Sequence, residues 1–385
     1  MTSHSALVGF HEYCLSKDLP FVTYRLPNEN TPVTIISNSR IIELPGVDDE
    51  LMHDAFFSNG NQRQGFLMAP FMKDRIRLWM NADQVFYGED FSLFDQNAIQ
   101  PEVFKQHNAA DDFLPEQTVK SEYLGKTKSL LKAIHEGEIN KAVLSRPVLV
   151  EFNKLEESHL LFERVLKSLP SAFVYFLSIP GAGTWLGATP ELLLKASFDA
   201  QSTDAKIETM ALAGTRKAGV ISEWGIKEID EQQCVANDIK QKLTQAGCTN
   251  IEQSKTYTAI AGNIEHLRTD FTAQINSDLI MKLAGELHPT PAICGWPTDK
   301  ALSLILSTEK YERTFYSGYL GPVNMNQMTS LFVNLRCMKI SAQSAALFVG
   351  GGITSASDPE LEWEETRIKS RTLLAEIEKI RNLAS

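Results

Sequence analysis

Four glutamates fall into two pairs with the same spacing, Glu228 with Glu231 and Glu362 with Glu365. On a helix, each i,i+3 pair projects from one face. Two such faces opposed across a cavity would supply the hard oxygen ligands that Mg²⁺ takes. The same strings also suit solvated helix faces, where carboxylates meet only water. Lys369 follows Glu365 by four residues, so it either binds an acidic ligand or pairs with that glutamate.

Lys141 opens the apolar run AVLSR, which ends in Ser145 and Arg146. At a strand edge such a lysine is ordinarily a snorkelling charge; pointed into a closed site, it becomes a general base. Glu191, in GATPELLL, is either a surface carboxylate or an acid kept protonated by burial. Gly350, Gly351 and Gly352 precede a helix pattern and either make a plain turn or bring backbone close to a ligand. Neither GxxxxGK[ST] nor GxGxxG is present, so this is no phosphate loop and no dinucleotide fingerprint. ALAGTRKAG, around Gly214 and Thr215, reads as a hairpin turn. His288, between prolines in LHPTPAICGWP, either donates a hydrogen bond to a substrate or stitches its loop. Arg313, Tyr316 and Arg336 offer the planar fork and directional hydroxyl that recognise carboxylates, and each arginine is equally suited to a structural salt bridge.

The elements that must position these groups are partly legible. SEYLGKTKSLLKAIHEGE has helical spacing and stops at a glycine; INKAVLSRPVLVEF and AFVYFLSI read as strands. Between Lys227 and Gly247, Cys234 or Val235, Ile239 and Leu243 recur at i,i+4 and predict a helix with one packed face. A final helix begins at Pro359, capped by Ser357 or Asp358. The first hundred residues carry short strand signals such as PFVTYRL and TPVTIISN. Residues 101–120 are polar, with two prolines, and read as an internal seam.

Composition sets the outer bounds. The net charge of −11 argues against nucleic acid or an anionic membrane surface as partner, though a local basic pocket remains open to an anionic ligand. With 43% apolar residues, the 385-residue chain can bury a substantial core. No run approaches the roughly 20 apolar residues of a membrane helix, and the N-terminal residues lack the order of a secretory signal, so a cytoplasmic protein is expected. Five scattered cysteines predict buried free thiols rather than a disulfide framework.

Taken in order, KAVLSR, LGATPELLL, ALAGTR, KEIDEQ, AGNIEHLRT, LHPTPAICGWP, YERTFYSGYLG, NLRC and GGGITSASDPELEWEETRIKS resemble the chorismate-utilising enzyme family, most closely its isochorismate synthase branch. The resemblance covers residues 121–385 as the chorismate-binding catalytic region and leaves 1–120 as a variable N-terminal portion integrated into the fold. It implies an α+β fold, a large body of stacked antiparallel sheets surrounded by helices. It implies that Lys141 activates water against C2 of chorismate and that Glu191 protonates the departing C4 hydroxyl. Glu231 and Glu365, with partners Glu228 and Glu362, would bind Mg²⁺. Gly214, Thr215, Tyr316, Arg336, Gly352 and Lys369 would surround the substrate carboxylates, and His288 would lie near the reacting ring.

Within the family, the anthranilate-forming branch usually has glutamine where Lys141 stands. The aminodeoxychorismate branch usually has lysine where this chain has Ala213. The resemblance therefore implies hydration rather than amination, with no obligate glutaminase subunit, and a monomer. Salicylate synthases, which go on to expel pyruvate, are the alternative, as is a non-catalytic chorismate-binding module. Menaquinone biosynthesis is the expected pathway and a catechol siderophore its alternative. A common KDRHEH pattern reads KEIDEQ here, with Ile229 and Gln232 replacing arginine and histidine.

Overall fold

A computed structural model describes residues 5–46, 57–58, 61–100, 109–199, 202–220, 222–261 and 264–384. The fold is α+β: two large antiparallel sheets lie face to face, with helices packed on their outer sides. The nine-stranded sheet runs in space from Gly295–Trp296 through Lys141–Glu151, Ser344–Thr354, Cys337–Ile340, Gly183–Thr189, Phe173–Ile179, Phe21–Arg25 and Val33–Ile36 to Gln84–Tyr87. The ten-stranded sheet includes Ile264–Asn276, Asp204–Lys217, Leu192–Ser197, Met328–Val333, Tyr319–Val323 and Gly65–Ala69 as consecutive neighbours.

Alternation along one central strand shows why the layers form. In Phe173–Ile179, Phe173, Tyr175 and Leu177 point into the core between the sheets, while Val174 and Phe176 point into the outer core beneath the helices. Successive side chains face opposite ways, so a strand covered on both faces must be apolar at every position. Across the interlayer core, Phe173 of one sheet stacks on Phe332 of the other, with centroids 4.2 Å apart and planes 4° from parallel. The helix Ile226–Gln245 buries Val235, Ile239 and Leu243 against the ten-stranded sheet, so Val235 rather than Cys234 faces the core.

The C-terminal helix, Pro359–Ala384, starts as predicted: Asp358 accepts hydrogen bonds from the backbone N–H groups of Glu360 and Leu361. The helix Lys120–His135 ends just before Gly137, whose φ of +78° suits glycine. Of the expected seam, residues 101–108 lie outside the described residues. The N-terminal strands Phe21–Arg25 and Gly65–Ala69 pair directly with strands from the later chain. All five cysteines are free; Cys14, Cys294 and Cys337 are buried, while Cys234 and Cys248 are only partly so. Among the described residues, no helix is long and apolar enough to cross a membrane.

Candidate active site

Two chain crossings between the sheets build the floor of one pocket. The chain leaves the nine-stranded sheet at Thr189 and enters the ten-stranded one at Leu192, with Glu191 in the passage; it returns between Val333 and Cys337, carrying Arg336. The crossings are tied together, since Val333 donates its N–H to the Glu191 carbonyl at 3.0 Å and Ala188 donates to that of Arg336 at 3.1 Å. Arg336 holds φ at +48°, a conformation that costs a non-glycine residue energy and is tolerated where the surroundings fix it.

The pocket is a cavity of about 90 Å³ that Glu191, Gly214, Thr215, Glu228, Glu231, Tyr316, Arg336, Gly352, Glu365 and Lys369 all line. Lys141 and Glu362 stand just behind that lining, against Glu231 and Gly351. Lys141 Nζ lies 2.7 Å from Glu231 Oε1. Glu362 lies against Gly351, where a Cβ would come within 3.1 Å of its Oε2. Sites separated by more than 200 residues in sequence thus converge because the strand Lys141–Glu151 pairs with Ser344–Thr354, setting Val143 opposite Gly352 and Lys141 opposite Thr354.

The glycine run is neither a turn nor a loop; it lies inside that strand. Its purpose is space. A Cβ on Gly352 would meet Glu231 Oε1 at 2.8 Å and Lys141 Cε at 3.0 Å. Gly352→Ala should therefore push the lysine and glutamate apart. A fall in catalytic rate of about 10-fold or more is expected, of the size produced when a catalytic group shifts by a fraction of an ångström to an ångström. Circular dichroism and steady-state kinetics check it, and wild-type turnover in a folded variant would contradict it.

Gly214 corrects the hairpin reading. It sits in the long strand Asp204–Lys217 at φ +66°, where the register against Ile264–Asn276 shifts between Ala213 and Arg216. This is a β-bulge, which re-aims side chains toward a site. Two groups hold it, His266, which sequence reasoning passed over, and Gln232, which it marked only as a departure from the family pattern. His266 Nδ1 donates to the Gly214 carbonyl at 2.8 Å. Burial, then the Arg336 charge, lowers its pKa to about 3, so the ring is neutral and Nε2 is free to accept from Arg336 Nη2, 3.3 Å away. Gln232, one of the family departures, receives the Ala213 N–H at 2.9 Å and donates to Ala211 and Thr269, pinning the acidic helix to the bulged strand. His266 stood in the AGNIEHLRT block; only its pairing opposite the Gly214 segment marks it as a site residue.

The structure does not bring His288 to this pocket. It is buried at the end of the helix Ile280–Leu287, where Nε2 donates to the Phe71 carbonyl at 2.9 Å and the ring packs edge-on to Tyr319. Burial lowers its pKa to about 3. It stitches the loop, and Ala292 and Ile293 of the same segment reach the pocket instead. Arg313 is likewise structural: it clasps Glu309 through two nitrogens and donates to the carbonyls of Val143 and Ile293. Arg146 lies over the Trp363 ring and donates to Thr366.

The charges divide the pocket into two ends. Burial raises Glu191 to about 7, against the opposing pull of Lys141, Arg336 and Lys369. That makes it a carboxyl able to give a proton near neutrality. Burial also pushes the Tyr316 phenol upward, leaving it a hydrogen-bond donor. At the acidic end, Lys369 pairs with Glu365 at 2.7 Å and Lys227 with Glu362 at 2.8 Å. Burial and then Glu365 raise Glu362; for Glu365 the effect of burial is outweighed by Lys369, Lys227 and Arg336 together, which hold it below its usual value. Glu228 turns back over Gly225 at the helix start. As they stand, no three His, Cys, Asp or Glu groups among the described residues are grouped to hold a metal ion.

A family model described as "Chorismate binding enzyme" matches residues 72–378. The isochorismate synthase EntC of Escherichia coli is 28% identical over 272 residues, covering 68% of this chain and 67% of that protein. The isochorismate synthase MenF of Bacillus subtilis is 27% identical over 342 residues, covering 82% of this chain and 71% of that protein. The solved menaquinone-specific isochorismate synthase MenF of Escherichia coli shares the fold with a TM-score of 0.74 at 22% identity, over 97% of this chain and 92% of that one.

Proposed function

Because the chain belongs to the chorismate-binding enzyme family, we propose that it converts chorismate to isochorismate, adding water at C2 as the C4 hydroxyl leaves. The observation that carries this reading is that one pocket is lined by Glu191, a buried carboxyl raised to about 7, and by Glu231 and Gly352, against which the buried Lys141 is packed. Lys141, as the amine, takes a proton from water as its oxygen bonds to C2. The ring double bonds shift, the C4–O bond breaks, and Glu191 delivers a proton to the departing hydroxyl. Atoms balance as an isomerisation, and no electron leaves the substrate.

Arg336, Tyr316 and Lys369 bind and orient carboxylate, with Thr215 and the Gly214 backbone closing the other side. The donor chemistry suits Mg²⁺: Glu228, Glu231 and Glu365 line the pocket, and the buried Glu362 Oε2 beside Gly351 has no hydrogen-bond partner. Glu231 and Glu365, with Glu228 and Glu362, would hold the ion, which when bound neutralises carboxylate charge on the substrate. Lys141 and Ala213 favour water over ammonia, so the enzyme needs no ammonia-supplying subunit; a monomer is what the family resemblance implies, and the cytoplasm is its proposed location. Menaquinone biosynthesis is the proposed destination of the product, with a catechol siderophore as the alternative; the chemistry is the same for both.

Salicylate formation is the competing reaction, since the same lysine serves it and pyruvate follows. Coupling turnover to lactate dehydrogenase and NADH decides between them. Chorismate loss without NADH oxidation is expected; pyruvate released in step with chorismate loss would reassign the chain.

A further inference from the structure

The acidic end holds more cation than the proposed reaction requires. Lys227, in the first turn of the helix Ile226–Gln245, reaches across to the C-terminal helix and places Nζ 2.8 Å from Glu362 Oε1. It also lies within charge range of Glu365 and Glu231. One ammonium therefore serves carboxylates from both acidic helices, although it belongs to neither pair. Its side chain is 24% exposed while that of Glu362 is 2% exposed, so the lysine reaches in from the rim and the glutamate has no water to replace it. Lys227 and Glu231 line both the inner pocket and an outer cavity of about 660 Å³, which sets the ammonium at the junction between the two.

Lys141 already pairs with Glu231 and Lys369 with Glu365, which leaves the buried Glu362 beside Glu365 as the carboxylate that needs a cation of its own, and burial makes an unpaired charge there costly. Lys227 supplies that cation, and a divalent ion taking Glu362 as a ligand competes with the ammonium for the carboxylate. The displaced Nζ still faces the inner pocket, where a carboxylate of an incoming dianion can pair with it. We infer that Lys227 is the built-in counter-cation of Glu362 in the ligand-free site, holding metal affinity down until an acidic substrate supplies the ammonium with a new partner. The inference rests on the proposed Mg²⁺ site and adds a consequence: metal and dianion bind cooperatively, each raising the affinity for the other by the same factor.

Mn²⁺ binding, followed by electron paramagnetic resonance of the free ion, tests this without turnover. In the absence of chorismate, Lys227→Met should bind Mn²⁺ at least 10-fold more tightly than wild type, while Lys227→Arg, which keeps the charge, should not. A partner for the ammonium that is not turned over is supplied by adding chorismate to Lys141→Ala protein: Mn²⁺ affinity should rise strongly there and much less in the Lys141→Ala, Lys227→Met double variant. Equal Mn²⁺ affinity of wild type and Lys227→Met, with binding otherwise intact, overturns the role of Lys227 alone. Absence of Mn²⁺ binding in every variant, with or without chorismate, removes the metal reading and this inference together. Thermal melts establish that each variant is folded, and Lys227→Gln replaces Lys227→Met if that variant is not.

Discussion

Replacing Lys141 with alanine is expected to leave chorismate binding largely intact while slowing conversion by about 10³-fold, within the range for loss of a general base. The lysine opens the strand Lys141–Glu151 and lies 3% exposed behind the pocket lining. Its Nζ stands beside Glu231 Oε1 and against the space left by Gly352. The substrate-orienting groups come from other elements, Arg336 from a sheet crossing and Lys369 from the C-terminal helix, so binding does not depend on it. Calorimetric titration with chorismate together with single-turnover kinetics separates the two effects. Full turnover in Lys141→Ala would remove the proposed base, and loss of both binding and turnover would recast the lysine as a binding group.

Glu191→Gln carries the second large effect. Glutamine keeps the size and hydrogen-bonding capacity of the side chain but has no proton to give, and turnover should fall by about 10²- to 10³-fold. Two pH dependences follow from the same shift. In the wild type, kcat/KM should decline on the alkaline side as Glu191 loses its proton through about 7. Stability should respond as well. The folded state raises this carboxyl from 4.5 to about 7, so it binds the proton more tightly than the unfolded chain. Its contribution is fully present below the unfolded value and is lost as pH rises through the folded one, a change of up to about 3 kcal/mol. Urea unfolding at pH 5 and pH 8 should show wild type losing stability relative to Glu191→Gln across that interval. Parallel curves, or an alkaline activity limb that persists in the variant's residual rate, would contradict the assignment.

The acidic pairs, the Asp358 cap and the packed face around Val235 could be read from sequence because each depends on spacing within a single helix. Gly214 could not: a glycine followed by polar residues fits a hairpin, and only the partner strand Ile264–Asn276, running continuously past it, turns the kink into a bulge. His288 and His266 show the same limit. A histidine between prolines attracts notice locally, whereas His266 becomes a site residue only through its bond to Gly214 and its place beside Arg336. Lys227 was hidden next to the more conspicuous Glu228, because its partner Glu362 lies 135 residues away. The glycines at 350–352 announced close approach, but what approaches, Tyr316, Glu362, Glu231 and Lys141, comes from four separate stretches of chain.

The central claim is hydration of chorismate without loss of carbon or gain of nitrogen. Purified protein incubated with chorismate, with and without Mg²⁺ and with and without ammonium, then resolved by chromatography with mass detection, tests it directly. The account predicts a Mg²⁺-dependent approach to a mixture of chorismate and an isomer of identical mass, unchanged by ammonium and reached equally from isochorismate. An aminated product, salicylate with pyruvate, or chorismate bound but unconverted by folded protein would contradict it.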